Sequence, residues 1–308
     1  MMKFDEPSWT GPSRWSRILG EGENPLLWSL PIYRAWGISV RIHVIFVAII
    51  LVKMILSIPE NTLGPGFVAL ALIALFVLVL LHEYGHCFAC RRVGGEADEI
   101  LLWPLGGLAS CLPPNRWQAH LVTVVGGPAV NLLLVPVLGG AVLAMGGSWD
   151  LVVFNPFDFG SAGSEALAGG YGFWFVWSLH ATNAVLLGFN VLVPMYPLDG
   201  GRILHAVLWG RRGKLAADRI SVAVGLVSAV LLGTVGLLTG ETLIFGIAIF
   251  GGFVCYQEQR RQRFLEEPGA DWPIPEVGDD PSGPDDGVEE EEIDAILAKI
   301  SREGIKSL

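Results

Sequence analysis

Charge is what this sequence has least of. Only 16% of its 308 residues are Asp, Glu, Lys or Arg, against about 25% in a typical soluble domain. With 52% apolar residues beside it, that shortage excludes an ordinary water-soluble fold for most of the chain. Cysteine is scarce as well: Cys87, Cys90, Cys111 and Cys255 are the whole set. None lies in a long polar segment, which excludes a secreted disulfide framework. Cys87 and Cys90 form a C-x-x-C at the end of an apolar run, where two small residues packing on a neighbouring helix is the plainer reading than redox chemistry. A cleavable leader is not expected either. The first 38 residues are mixed polar and aromatic, without a basic start followed by a short apolar core. Trp9, Trp15, Trp28 and Trp36 suit a segment at a membrane surface or a solvated arm.

The net charge of −10 belongs to one end. Phe264–Leu308 holds 14 acidic and 3 basic residues, a net of −11, which leaves +1 for everything before it. Within that tail, Glu266–Gly287 is rich in Pro, Gly and Asp and reads as disordered. Val288–Leu308 carries Ile293, Ile296, Leu297 and Ile300 at helical spacing, a short docking or solvated helix. Three domains follow: an interfacial or cytoplasmic segment 1–37, a membrane domain 38–263 and an acidic cytoplasmic tail 264–308.

What is abundant is long apolar runs, each near the roughly twenty residues that cross a bilayer core of about 30 Å. Six are expected: Ile38–Ile58, Gly66–Cys90, Ala119–Met145, Tyr171–Val193, Ala216–Leu238 and a short Thr242–Tyr256. The basic residues alternate with them. Arg34 and Arg41, then Arg91, Arg92 and Arg116, then Arg211, Arg212 and Lys214, then Arg260, Arg261 and Arg263 mark every second connection. The connections Pro59–Pro65, Gly146–Gly170 and Thr239–Glu241 have no Lys or Arg. The positive-inside rule then places both termini in the cytoplasm, as an even number of crossings requires. The expected fold is an all-α polytopic membrane protein. Gly94–Leu112, too short and too broken by Pro104, Gly106 and Gly107 for a span, reads as a β-hairpin or re-entrant loop between the second and third helices on the cytoplasmic side.

Chemistry enters at His82-Glu83-Tyr84-Gly85-His86. On a helix the two histidines share a face and can grip one metal ion, and Glu83 beside them can take a proton from a water activated there. The competing reading is two histidines hydrogen-bonded in a helix bundle, but three ionisable residues inside a membrane helix are costly and point to function. His86 is five residues from Arg91, about 7–8 Å of helix rise, so the site lies below the cytoplasmic surface. A third ligand should be distant in sequence, at similar depth, and carboxylate or imidazole. Asp199 fits, in Pro194-Met195-Tyr196-Pro197-Leu198-Asp199-Gly200-Gly201 just past the fourth span, where Pro and Gly break the helix. A capping role for Asp199 is the alternative. Two His, one carboxylate and water favour Zn2+.

These residues resemble the site-2 protease family of intramembrane zinc metalloproteases, peptidase family M50, in a compact form without PDZ or CBS domains. The resemblance runs over about Gly37–Trp209. Besides the H-E-x-x-H it rests on Gly37–His43, Pro104-Leu105-Gly106-Gly107-Leu108-Ala109, Gly127-Pro128-Ala129-Val130-Asn131 and Tyr196-Pro197-Leu198-Asp199-Gly200-Gly201-Arg202. It implies His82, His86 and Asp199 as Zn2+ ligands and Glu83 as general base. It also implies Asn131 near the site as a donor to an oxyanion, with a helix–helix hydrogen bond as the alternative. Gly106 and Gly107 would help add substrate as an extended strand, with a simple turn as the alternative. The chain departs from the pattern at Asn190, which stands four residues before Pro194 where three are expected. The implied activity is hydrolysis of peptide bonds in or near transmembrane segments of membrane proteins, in a bacterial inner membrane. Membrane lipid and a transmembrane substrate are the expected partners, and nucleic acid is not. A silent scaffold or chaperone of the same fold, or a metal or proton transporter, are the alternatives. Nothing in the sequence bears on oligomeric state.

Overall fold

The computed structural model describes residues 28–59, 63–103, 106–155 and 159–266, without the side chains of 159–161, 243 and 264–266. Most of the expected interfacial segment, Pro104 and Leu105 of the loop motif, and nearly all of the acidic tail lie outside the described residues. The chain runs β1 (Ser29–Ala35), β2 (Ile38–His43), α1 (Val44–Leu56), α2 (Pro65–Arg92), β3 (Glu96–Trp103), β4 (Gly106–Leu112), α3 (Trp117–Ala144), α4 (Trp149–Val152), α5 (Phe159–Ala168), α6 (Gly170–Leu192), α7 (Asp199–Arg212), α8 (Lys214–Thr239) and α9 (Thr242–Glu266).

Four helices, α2, α3, α6 and α8, are long and apolar enough to cross a membrane. Only 22–28% of the residues in their most apolar windows are buried within the protein. The remainder is half-buried or exposed, and Leu132, Leu133 and Val137 on α3 and Val230, Leu231 and Leu238 on α8 are exposed. A contiguous apolar surface of this kind is not sustained in water. The protein is an integral membrane protein.

The fold is mostly helical, and where one β-hairpin or re-entrant loop was expected it holds a four-stranded sheet in the order β1-β2-β3-β4. The outer pairs are antiparallel and β2–β3 is parallel, with Val40 opposite Ile100 and Ile42 opposite Leu102. The expected first span, Ile38–Ile58, therefore splits. Ile38, Val40 and Ile42 alternate with Ser39, Arg41 and His43, a period of two that belongs to a strand. Helix α1 keeps 13 residues, about 20 Å of rise. Helix α7 and the short α4 and α5 fall in stretches read from sequence as connections.

The sheet sits on the polar end of α2. Ile38, Val40, Ile100 and Leu102 bury their side chains against Val79, Tyr84, Cys87 and Cys90. Arg91, in the last turn of α2, donates hydrogen bonds to the carbonyls of Trp36 and Ala97, on the β1–β2 turn and β3. That turn needs positive φ at both residues, Trp36 at 50° and Gly37 at 75°. A second cluster, Val142, Leu151, Trp174 and Trp177, closes the opposite end of the helices.

Helices α2, α3 and α6 each pack on the other two. Between α2 and α3 the backbones touch: a Cβ on Gly85 would meet the Gly126 carbonyl, and a Cβ on Gly126 would meet the Gly85 carbonyl and the Ala89 methyl. Small residues permit such approach where lipid offers no hydrophobic drive. Gly126→Ala must push the helices apart, and overpacking of this type costs about 1–3 kcal/mol. A lower midpoint of thermal unfolding in detergent is the expected result. An unchanged midpoint would show that the helices separate freely.

Candidate metal centre

His82 and His86 lie one turn apart on α2, on the face turned to α3, and both are 4% exposed. Asp199 opens α7 and is also 4% exposed. The chain between α6 and α7 folds back over the start of α7. A Cβ on Gly200 would meet the Val193 carbonyl, and one on Gly201 would meet the backbone of Met195. Two glycines after Asp199 allow that close turn, which carries the carboxylate inward to the histidines.

The result is a triangle of donor atoms. His82 Nε2 is 3.1 Å from His86 Nε2, and Asp199 Oδ2 is 3.0 Å from the first and 3.4 Å from the second. Three ligands of one tetrahedral ion at 2.0–2.1 Å stand about 3.3 Å apart. The opposite ring nitrogens fix the proton positions. His82 Nδ1 is 2.9 Å from Asn131 Oδ1, and His86 Nδ1 is 2.9 Å from the Thr123 carbonyl. A carbonyl oxygen only accepts, so His86 carries its proton on Nδ1. The Gly127 N–H, 3.3 Å from the same nitrogen, therefore makes a close contact and not a second hydrogen bond. Nδ1–H on both rings leaves both Nε2 lone pairs facing the carboxylate. Asp199 Oδ2 is enclosed and receives no hydrogen bond despite these neighbours. Three lone-pair atoms at such distances repel each other until a cation lies among them, so the donor set fits a divalent ion of zinc type.

Glu83 is a second carboxylate close by, 6% exposed, and a side-chain oxygen of it lies within 4.8 Å of both histidine donor atoms. Its engagement differs from that of Asp199. Glu83 Oε2 accepts a hydrogen bond of 3.1 Å from the Ala109 N–H on β4. The geometry thus separates a carboxylate pointed at the imidazole pair, Asp199, from one tethered to a strand beside it, Glu83.

The remaining expected site residues fall around this pair. Gly107 lies against Glu83, where any Cβ would meet that side chain. Gly106 pairs with Trp103 at the start of β4 with φ 141°. Among the described residues no strand pairs with β4 on its outer side, and the Ala109 N–H of this edge strand is taken by Glu83. Asn131 is wholly buried, with Oδ1 on His82 and Nδ2 without a partner. Sequence reasoning missed Asn183 on α6, wholly buried, whose Nδ2 donates to the Asn131 carbonyl at 2.9 Å. A polar side chain within the apolar run of α6 was the signal available. The Thr123 carbonyl and the Ala109 N–H are backbone groups that no residue type announces.

Residues 70–234, just over half of the chain, match peptidase family M50. The zinc metalloprotease MJ0392 of Methanocaldococcus jannaschii is 32% identical over 233 residues, covering 76% of this chain and 61% of that protein. The chain thus spans less than two thirds of that relative's length. The solved structure of a site-2 protease from Methanocaldococcus jannaschii superposes with a TM-score of 0.54 at 29% identity, covering 76% of this chain and 96% of that one.

Gly127 faces the two imidazoles, and a Cβ there would meet both Nε2 atoms. Gly127→Ala is expected to weaken zinc binding about tenfold or more while helical content stays constant. Metal analysis of the purified protein beside its circular dichroism measures both. Full zinc occupancy in that variant would mean that the ligand atoms lie elsewhere.

Proposed function

Since the chain belongs to peptidase family M50, we propose that it is an intramembrane zinc metalloprotease of the site-2 protease type, cutting peptide bonds in or near transmembrane segments of other membrane proteins. The observation that carries this reading is the buried triangle of His82, His86 and Asp199 with Glu83 tethered to a free strand edge beside it. A silent scaffold would not need all four side chains to converge.

In this reading His82, His86 and Asp199 hold Zn2+. When bound, the ion supplies Lewis-acid chemistry and brings a water within reach of deprotonation near neutral pH. Glu83 is the general base: its carboxylate takes the proton and delivers it to the departing amide nitrogen. The proton on Nδ1 of each histidine keeps Nε2 directed inward, through Asn131 for His82 and through the Thr123 carbonyl for His86. The unpartnered Asn131 Nδ2 is the candidate donor to the developing oxyanion. A helical substrate hides its carbonyls in its own hydrogen bonds, so it must unwind before attack. The free edge of β4 offers the unwound segment a ladder, and Gly106 and Gly107 leave room for its backbone.

Six crossings complete the topology, with α1 and α9 joining the four long helices. A helix of 13 residues crosses where the bilayer thins and a flanking side chain such as Lys53 snorkels. Arg91, Arg92 and Arg116 beside the sheet, and Arg211, Arg212 and Lys214 between α7 and α8, support a cytoplasmic position for that end and for both termini. The membrane domain is 38–263, followed by the acidic tail 264–308, in a bacterial inner membrane. Lipid and a transmembrane protein substrate are its partners.

Glu83→Gln keeps the shape of the base and removes its proton affinity. Cleavage of tagged single-pass membrane segments is expected to fall by about 10²–10⁴-fold, the usual contribution of a general base, with zinc content unchanged. Equal cleavage by both proteins would overturn the assignment of Glu83.

A further inference from the structure

We propose that Asn183 is a positioning residue for the metal centre, holding Asn131 and, through it, the imidazole of His82. This rests on the reading of His82, His86 and Asp199 as metal ligands. Asn183 lies within α6 and touches none of those three groups by hydrogen bond. Its Nδ2 donates to the backbone carbonyl of Asn131 at 2.9 Å. A backbone carbonyl only accepts, so this contact settles which way the Asn183 amide points. Asn131 then presents Oδ1 to His82 Nδ1 at 2.9 Å. A continuous chain of two hydrogen bonds thus joins α6, α3 and α2, and it ends on the ring nitrogen opposite the one in the donor triangle.

The need for a brace at Asn131 lies in α3 itself. Pro128 and Pro136 stand inside this helix, and each lacks the N–H that would bond the carbonyl four residues earlier. The turns on either side of Asn131 are therefore short of helical hydrogen bonds, and the segment can bend. A donor from a second helix on the Asn131 carbonyl pins the segment that carries the His82 partner. Asn183 also has a close chain connection to the third donor, since α6 leads directly into the turn that ends at Asp199.

Packing alone does not account for the pair. Asn131 Nδ2 and Asn183 Oδ1 are both buried without a partner. Unpartnered amide atoms in an apolar interior are unfavourable, and an apolar side chain of similar shape would avoid them. Their presence beside a metal centre is explained when the hydrogen bonds they do make orient a ligand.

Co2+ in place of zinc reports the ligand field directly. The full-length protein in detergent is stripped of metal and titrated with Co2+, following the visible d–d bands, and zinc affinity is then read by competition. The comparison is wild type, Asn183→Leu, and Ser178→Ala as a control. Ser178 is another buried α6 residue with an unpartnered hydroxyl and no link to the centre. Asn183→Leu is expected to shift or broaden the Co2+ bands and to weaken metal binding about 10–100-fold, the usual effect of losing an outer-sphere partner. Ser178→Ala is expected to match wild type. Unchanged bands and affinity in Asn183→Leu overturn the proposal, and so do equal changes in both variants, which would mark a general packing effect. Should Asn183→Leu fail to fold, Asn183→Ala is read by the same criteria. A wild type that binds no Co2+ would instead refute the metal-centre reading on which the proposal stands.

Discussion

The backbone contact between Gly85 and Gly126 is the constraint on which the site depends. With no side chain at either position, α2 and α3 approach until each glycine's α-carbon faces the other's carbonyl. Only at that separation does the His86 ring reach the Thr123 carbonyl and the His82 ring reach the Asn131 side chain. The same closeness makes Gly127 face both imidazoles. Lipid tails are as apolar as leucine, so helices in a bilayer associate through such packing and through hydrogen bonds between them. Here the two act together, since the glycine contact sets the distance and the polar contacts set the rotation.

That arrangement answers a cost. Two imidazoles and two carboxylates are nearly inaccessible within an apolar helical body. Each group on its own would be strongly unfavourable there. The protein offsets this by giving three of them a defined hydrogen-bond partner: Asn131 for His82, the Thr123 carbonyl for His86, the Ala109 N–H for Glu83. Asp199 Oδ2 alone is left without a hydrogen bond, and it is the atom directed at both Nε2 lone pairs. In the proposed reading the metal is the missing partner, and its binding energy also holds α7 against α2.

The sheet borders this interior at the end of α2 that carries Arg91. Arg91 ties the end of α2 to the carbonyls of Trp36 and Ala97, which joins the sheet to the histidine-bearing helix. Glu83 is bonded to β4, an edge strand of the sheet among the described residues. In the proposed reading, an extended segment added to that edge would lie close to Glu83 as the base. A strand edge left open is ordinarily a hazard. In the proposed reading it is the surface that a substrate stripped of its helical hydrogen bonds would seek.

Much of this was written in local patterns. The apolar runs from Gly66, Ala119, Tyr171 and Ala216 became α2, α3, α6 and α8, because length and hydropathy alone decide whether a segment is stable in lipid. The i, i+4 spacing put His82 and His86 on one face, because helix geometry is local. Other features were not legible. Ile38–His43 was hidden in an apolar run until β1 and β3 supplied its ladder, since a strand exists only through its partners. The different roles of Asp199 and Glu83 were suggested by the motifs, but the backbone donor that holds Glu83 to β4 was not visible. Asn183 acquires meaning only from the Asn131 carbonyl opposite it, far away in sequence. By itself the sequence determined the membrane class, the long helices and the donor types. The convergence of those donors was decided only by the tertiary structure, because distances between helices are set by packing and not by spacing along the chain.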